Sequence, residues 1–211
     1  MTAALVEFPE RSGFFRVKRF LDNDLQSELL DIAREVCAQA PLLRPALPNG
    51  QPMRLTLTSC GPLGWWSDVK GGYRYVESHP RTGKPWPAIP KRMLGLAEEA
   101  LETVGLPLVR IDSCLINHYA EGESLGMHVD RTEQDRKAPI ISLSIGAEAE
   151  FVLEDPDGNK TSHILSSGDL VVQSGRSRAW LHGIKRVMPT IPNICRDGGR
   201  INFTLRKVTV P

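Results

Sequence analysis

The chain has 211 residues, of which 41% are hydrophobic and 24% are charged, and this composition is typical of a globular protein with one domain. Its formal net charge of +1 excludes a positive field over the whole surface, so a nucleic-acid or membrane partner would need a local basic patch. The four cysteines form no C-x-x-C pair and no 18 apolar residues run together, which favours reduced thiols in a cytoplasmic protein and predicts no membrane segment.

Two helices are predicted in the first half of the chain. Residues 22–40 place apolar side chains at helical spacing, with Asp22 or Asn23 available as the N-cap. A second helix is predicted from Pro90 to Val104, with the proline in its first turn. Each helix has one apolar side, so we expect both to pack against the rest of the domain.

Residues 41–90, between the two helices, are rich in Pro and Gly and include Trp65, Tyr73 and Tyr75. Basic residues such as Arg74 are interleaved with these rings, and this combination suits stacking on bases and neutralising phosphates. The alternative is a Pro-rich surface segment whose aromatic residues fill a small core of their own.

From residue 106 onward, short alternating segments are separated by turn residues. Strands are predicted for IDSCLINHY, PIISLSIG, EFVL, SHILSSGDLVVQ, RAWLHGI and INFTLRKV. Many short strands at this spacing are typical of an antiparallel sandwich or a jelly roll. The predicted class is therefore α+β and mainly β. We expect a single domain, with an N-terminal extension over about residues 1–105 and a jelly-roll core over about residues 106–211.

A candidate metal site combines two neighbouring residues with a distant one. His128 and Asp130 are two positions apart, so their side chains point to the same side of an extended backbone. His182 lies far downstream, within an apolar segment. Two imidazoles and one carboxylate leave open positions on an iron ion, as in non-haem Fe(II) oxygenases. The alternatives are a histidine bonded in a turn, a core histidine, and a zinc site with the same ligand types.

The last predicted strand alternates apolar and polar residues, with Arg200, Asn202 and Arg206 on one face. On an edge strand these would be ordinary surface arginines, but inside a barrel two buried guanidinium groups would require anionic partners. The candidate inward faces offer too few carboxylates to pair both arginines. We therefore expect a small dicarboxylate ligand, which Asn117 and Tyr119 could also contact. Beside an open iron site, such a ligand indicates 2-oxoglutarate.

These residues belong to an ordered set of motifs that resembles the AlkB family of Fe(II)- and 2-oxoglutarate-dependent dioxygenases. The motifs N-x-Y, H-x-D and the terminal R-x-N-x-x-x-R carry the resemblance, which extends over about residues 53–207. It implies a double-stranded β-helix core with iron held by His128, Asp130 and His182. It also implies that 2-oxoglutarate is held by five residues, which are Asn117, Tyr119, Arg200, Asn202 and Arg206.

The resemblance further implies a nucleotide-recognition lid, in which Trp65, Tyr73 and Tyr75 correspond to residues that contact base and phosphate. The implied reaction is oxidative demethylation of bases such as 1-methyladenine and 3-methylcytosine in single-stranded or duplex DNA, and in RNA, with release of formaldehyde, succinate and CO2. A methylated, cationic base suits aromatic faces. We expect the protein to act as a monomer.

One departure from the family pattern concerns base recognition. Many members have an acidic residue two positions after the metal-binding aspartate, whereas this chain has Thr132 there, followed by Glu133. Both are candidate substrate-binding residues, and the base preference is open. Two alternative functions also remain at this point. One is a 2-oxoglutarate oxygenase that acts on tRNA, a protein or a small molecule, and the other is a non-catalytic jelly-roll binding module.

Overall fold

The structure is a computed structural model that describes residues 4–7 and 12–210. Helix α1 spans Asn23–Gln39 and begins after Asp22, whose carboxylate accepts the Leu25 N–H at 2.8 Å. Helix α2 spans Lys91–Thr103. Pro90 is the N-cap of α2 and does not lie within its first turn, a one-residue correction to the prediction. Neither helix, in the described part of the chain, is long and apolar enough to cross a bilayer.

Thirteen strands are the main regular elements of the described structure. In chain order they are β1 (Ala4–Glu7), β2 (Phe14–Lys18), β3 (Thr56–Cys60), β4 (Gly64–Asp68), β5 (Gly72–Val76), β6 (Ser113–Tyr119), β7 (Leu125–His128), β8 (Ile140–Gly146), β9 (Ala149–Glu154), β10 (Lys160–Leu165), β11 (Leu170–Gln173), β12 (Leu181–Val187) and β13 (Arg200–Arg206).

These strands form two antiparallel sheets and a separate hairpin. The major sheet has the order β1-β2-β11-β8-β13-β6-β3, and the minor sheet has the order β10-β9-β12-β7. Strands β4 and β5 pair with each other and, among the described strands, with no other. The two sheets enclose one apolar cluster, to which Leu115 of β6 and Phe151 of β9 both contribute. This arrangement is the predicted jelly roll, in a chain that is mainly β with two helices.

A second apolar cluster lies between the helices and the outer face of the major sheet. It includes Leu29 of α1, Leu96 of α2 and Phe203 of β13. Alternation along β6 shows how one strand serves both clusters, because Ile116 packs toward the helices while Leu115 packs between the sheets. The helices therefore cover the back of the sheet and leave its inner face for the site.

The structure differs from the sequence predictions in one place that matters for the site. The segment RAWLHGI was predicted as one strand, but residues Gly175–Ala179 form a 3-10 turn and β12 begins only at Leu181. Strands β2 and β3 from the predicted N-terminal extension hydrogen-bond to core strands of the major sheet.

Candidate metal and cosubstrate site

Three side chains converge at one end of the minor sheet. His128 lies at the end of β7 and pairs in register with His182 of β12. Asp130 lies beyond the end of β7, and its two carboxylate oxygens are 3.7 Å from His128 Nε2 and 3.6 Å from His182 Nε2. One donor atom from each residue lies within 4.8 Å of the others, a spacing that suits a single ion. The structure thus brings together the three residues predicted for the metal.

Both imidazoles are oriented by backbone carbonyls on the side away from Asp130. His128 Nδ1 lies 2.9 Å from the carbonyl oxygen of Gly126, and His182 Nδ1 lies 3.4 Å from that of Trp180. A carbonyl can only accept, so it favours the tautomer with hydrogen on Nδ1. The Nε2 lone pairs are then free to bind a metal, which is the arrangement that ligating histidines usually show.

Local charges and burial keep Asp130 and His182 in the protonation states that a metal needs. Burial alone would raise the pKa of Asp130, but Arg206, and then His182, His128 and Arg178, hold it well below its usual range. Burial lowers the pKa of His182 to about 4. The cluster therefore presents one carboxylate and a neutral imidazole at neutral pH. These donors fit an Fe(II) ion in the two-histidine, one-carboxylate arrangement.

The inner face of the major sheet forms the wall beside this cluster. Asn202 and Asn117 are paired in register, as are Arg200 and Tyr119, so β13 and β6 direct their polar residues to the same cavity. Arg200 is 1% exposed and donates to the carbonyl oxygens of Ala147 and Leu165 at 2.9 and 3.2 Å. Arg200 has no carboxylate within ion-pair distance among residues 12–210, which fits an anionic ligand.

The other polar residues on this wall differ in how many of their hydrogen-bonding groups already have partners within the protein. The Asn202 amide donates to Ser142 Oγ at 2.8 Å and to the Leu143 carbonyl at 3.1 Å. Tyr119 is 2% exposed, and burial raises the pKa of its hydroxyl, so it stays protonated and able to donate. All five residues predicted for the cosubstrate line the cavity. Their direct contacts with 2-oxoglutarate stay predictions.

The sequence predicted too few carboxylates to pair both arginines, and among the described residues Arg206 has carboxylate partners whereas Arg200 has none. The Arg206 guanidinium lies 3.1 Å from Asp130 Oδ1 and donates a short hydrogen bond to Glu133. Burial would lower the pKa of Arg206, but Asp130, Tyr75 and Glu133 raise it, so the group stays charged. The sequence did not reveal this pairing, because Glu133 lies in an irregular segment where side-chain direction does not follow from alternation.

The β4–β5 hairpin carries the predicted lid residues. The Trp65 and Tyr73 rings are stacked, with centroids 5.7 Å apart and planes inclined by 23°. Tyr73 is 49% exposed. Tyr75, in contrast, contacts the cavity wall. Its hydroxyl donates to Glu133 Oε1 at 2.8 Å and lies 3.5 Å from an Arg206 nitrogen. The hairpin thus offers an aromatic surface and is tied to the cavity wall.

Three residues that the sequence suggested for contact with the substrate are not fully exposed and free of other partners. Glu133 is 2% exposed and bonded to Tyr75 and Arg206, so its carboxylate is not free to contact a base. Thr132, its neighbour, is half-buried. Arg74 pairs with Asp68 at 2.6 Å. Within the hairpin, this ion pair leaves the neighbouring Lys70, which is exposed, as the better candidate for a phosphate contact.

Sequence reasoning missed one buried residue that contacts this site. Arg178 lies in the 3-10 turn before β12 and is 6% exposed. It donates to the Asp130 carbonyl oxygen at 3.5 Å and lies 3.6 Å from Glu133 Oε2. The available signal was a basic side chain within the otherwise apolar segment that precedes His182.

Comparison with known proteins agrees with the geometry. The 2OG-Fe(II) oxygenase superfamily profile matches residues 13–206. The "Alpha-ketoglutarate-dependent dioxygenase AlkB homolog" of Caulobacter vibrioides is 38% identical over 200 residues, which cover 92% of this chain and 87% of that protein. The "Alpha-ketoglutarate-dependent dioxygenase AlkB" of Escherichia coli is 36% identical over 201 residues, covering 94% and 92%. The solved structure of OsALKBH1 superposes with a TM-score of 0.83 at 26% identity, covering 97% of this chain and 100% of that one. The chain therefore belongs to the AlkB family of dioxygenases, which use Fe(II), 2-oxoglutarate and O2.

Proposed function

We propose that this dioxygenase removes methyl groups from ring nitrogens of nucleic-acid bases, with DNA as its main substrate and RNA as a second one. Similar proteins support a nucleic-acid substrate by name. Human ALKBH1, 32% identical over 124 residues, is called a nucleic acid dioxygenase, and an Arabidopsis thaliana relative, 28% identical over 224 residues, is called a DNA N(6)-methyladenine demethylase. The observation that carries the proposal is the cluster of candidate metal ligands next to a hairpin in which the exposed Tyr73 ring stacks on the half-buried Trp65 ring.

The metal in this proposal is held by His128, Asp130 and His182. The Gly126 carbonyl oxygen accepts from Nδ1–H of His128, and the Trp180 carbonyl oxygen accepts from Nδ1–H of His182. The Nε2 atom of each histidine therefore faces the ion. Arg206 keeps the Asp130 carboxylate ionised. His128 is the most exposed of the three ligands, with 35% of its side chain accessible, so we infer that substrate approaches from its side.

The cosubstrate is held on the β6–β13 wall, where Arg200 supplies a buried positive charge for one carboxylate. Burial lowers the pKa of Arg200 only to about 10, so the guanidinium remains charged at neutral pH. The Tyr119 hydroxyl and the Asn117 amide add hydrogen-bond donors, and in the described part of the chain neither is bonded to another side chain. Asn202 and Arg206 complete the set proposed for 2-oxoglutarate.

When bound, Fe(II) with 2-oxoglutarate and O2 supplies the oxidising chemistry that hydroxylates the N-methyl group, so that the carbon leaves as formaldehyde and the cosubstrate becomes succinate and CO2. The protein's part is placement. Trp65 and Tyr73 offer π faces to a base that has left its stack, and a base methylated on a ring nitrogen is cationic and suits such faces. Thr132, beside the metal-ligand segment, is a further candidate contact for the base.

A panel of oligonucleotides tests this proposal. Protein with Fe(II), ascorbate and 2-oxoglutarate should release formaldehyde from strands that contain 1-methyladenine or 3-methylcytosine and restore the parent base, as measured by mass spectrometry. His182→Ala is the inactive control. Absence of turnover on every methylated strand, with succinate formation stimulated by tRNA, a protein or a small molecule instead, would contradict it. Action as a monomer and in the cytoplasm stay predictions.

A further inference from the structure

Arg178 is a buried cation outside the groups proposed to bind metal or cosubstrate. It lies in the 3-10 turn Gly175–Ala179, four residues before His182, and its side chain is only 5% exposed. A guanidinium group is rarely removed from water without specific partners, because an unpaired buried charge is costly. The partners of Arg178 therefore indicate what it does.

The three partners found among the described residues lie in one segment, which includes Asp130 of the metal cluster. The Nε–H donates to the Ala138 carbonyl oxygen at 2.9 Å, and one terminal nitrogen donates to the Asp130 carbonyl oxygen at 3.5 Å. The second terminal nitrogen lies 3.6 Å from Glu133 Oε2. One guanidinium group thus reaches the beginning, the middle and the end of residues 130–138, which we call the aspartate segment.

The aspartate segment has no regular strand or helix to hold it. It follows the last residue of β7 and ends before β8, and Asp130 is its first residue. Its backbone is held to the Val208 carbonyl oxygen by the N–H groups of Gln134 and Asp135, four and five residues after Asp130. The position of the Asp130 carboxylate therefore depends also on side chains that reach the segment from elsewhere. Arg178 is connected to His182 by a short run of chain. Its contacts therefore join the segment that carries the carboxylate to the strand that carries the second histidine.

Charge balance in the same place supports this role. Asp130 and Glu133 are two buried carboxylates, and Arg206 and Arg178 are the two guanidinium groups that face them. Glu133 Oε2 has no hydrogen-bond partner among the described residues, so its ion pair with Arg178 is its main compensation. If Arg178 were removed, Arg206 alone would face two carboxylates, and it would be drawn away from the geometry that orients Asp130.

We propose that Arg178 is a positioning residue that holds the aspartate segment against the β12 side of the metal cluster and so sets the position of Asp130 relative to His182. This inference rests on the proposed metal site. It assigns no contact with substrate to Arg178. It predicts that loss of Arg178 weakens metal binding even where the protein remains folded.

Anaerobic titration with Co(II) in the presence of 2-oxoglutarate tests the inference in the full chain. Arg178→Met keeps the length of the side chain and removes its charge and donors. We expect its Co(II) dissociation constant to rise roughly 10- to 100-fold, the usual effect of losing an outer group that orients metal ligands. The Co(II) visible spectrum should also change, because the carboxylate is displaced. Arg176→Met, an exposed position in the same turn, should leave both unchanged.

Two further variants separate positioning from general stability. Val36→Ala, in the apolar cluster behind the major sheet, should lower the melting temperature without changing the Co(II) dissociation constant. If Arg178→Met does not fold, Arg178→Lys replaces it. The single ammonium nitrogen of lysine cannot lie close to all three acceptors that the three guanidinium nitrogens reach. The Co(II) dissociation constant of this variant should therefore still rise several-fold.

The outcomes are distinct. Parent protein that binds no Co(II) would overturn the proposed metal site together with this inference. Parent protein that binds Co(II), with a folded Arg178 variant whose dissociation constant is within twofold of it, would overturn the role of Arg178 alone. The role of Arg178 would also be overturned if Val36→Ala, at the same loss of melting temperature, raised the Co(II) dissociation constant as much as the Arg178 variant does.

Discussion

At the scale of single residues, Arg200 shows why the cavity suits an anion. It is among the largest fully buried side chains, yet no carboxylate lies within ion-pair distance of it in the described part of the chain. Backbone carbonyls and Ser144 satisfy some of its donors, while its Nε–H has no partner there. A protein that keeps such a charge in its interior gains from a ligand that neutralises it.

Arg200→Lys should therefore weaken cosubstrate binding more than turnover. The ammonium group keeps the charge but loses the forked geometry, and a charge-assisted hydrogen bond contributes about 1.5 to 3 kcal/mol. We expect the KM for 2-oxoglutarate to rise roughly 10- to 100-fold, since about 1.4 kcal/mol corresponds to tenfold, with a smaller change in kcat. Arg176→Lys is the exposed control. A KM for 2-oxoglutarate within twofold of the parent would argue against a cosubstrate role for Arg200.

His118 provides a prediction about pH. Burial lowers its pKa below the ordinary value of 6.5, so the folded protein keeps it neutral where the unfolded chain has begun to bind a proton. The stability that it contributes is complete above pH 6.5 and is lost as the pH falls through the folded pKa. The urea concentration at the unfolding midpoint should therefore decrease as the pH is lowered from 7 to 5. The decrease should be smaller in His118→Gln. Parallel pH profiles for the two proteins would rule out this contribution.

At the scale of elements, the approach of β7 to β12 places His128 opposite His182. Gly183 allows this approach, because a Cβ there would lie 2.7 Å from the Leu125 carbonyl oxygen and 3.1 Å from Gly126 atoms. The obstacle is backbone, which cannot rotate away as a side-chain tip can. The register shifts just after His182, and the glycine occupies that irregular position.

Gly183→Ala should push β7 outward and move His128 with it. Overpacking of this kind costs about 1 to 3 kcal/mol, so the free energy of unfolding should fall by about that amount and Co(II) should bind more weakly. Gly95→Ala in α2 is the matched control, because among the described residues no atom outside the adjacent residues and the backbone of its own helix lies within 4 Å of the added Cβ. It should be neutral or stabilising by up to about 1 kcal/mol. Equal effects of the two substitutions would refute the steric explanation.

The β4–β5 hairpin predicts a separation between substrate and cosubstrate effects. Tyr73 is exposed, so Tyr73→Ala should change stability little while removing one face of the aromatic pair. Base stacking contributes about 1 to 3 kcal/mol per base, and the KM for a methylated oligonucleotide should rise accordingly. The KM for 2-oxoglutarate should stay within twofold. A parallel rise in both constants would place Tyr73 outside the substrate surface.

At the scale of the whole molecule, alternation predicted the parts of the site that lie on strands. Arg200, Asn202 and Arg206 share the inner face of β13, and Asn117 and Tyr119 face them from β6, as the period of two requires. The three residues predicted to bind the metal also lie close together, although Asp130 lies beyond the end of its strand. Local geometry fixes the direction of the residues on strands, whereas the convergence of His182 with His128 and Asp130 was expected from the set of motifs and the family resemblance.

The remaining features depend on contacts between distant parts of the chain. The pairing of β3 with β6 and of β2 with β11 joins segments far apart in sequence, and no local pattern indicates such pairs. Glu133 is buried because Tyr75 and Arg206 reach it from the hairpin and the last strand. Arg178 is buried for a similar reason. A sequence shows which side of a strand a residue occupies, but not which distant residue faces it.

The account depends above all on one site in which His128, Asp130 and His182 hold an ion beside a bound 2-oxoglutarate. The most direct test is visible absorbance after Fe(II) and 2-oxoglutarate are added together without oxygen. We expect a charge-transfer band in the parent protein that requires both components and is lost in His182→Ala, with circular dichroism to show that the variant is folded. No band in the parent, or an undiminished band in His182→Ala, would contradict the account.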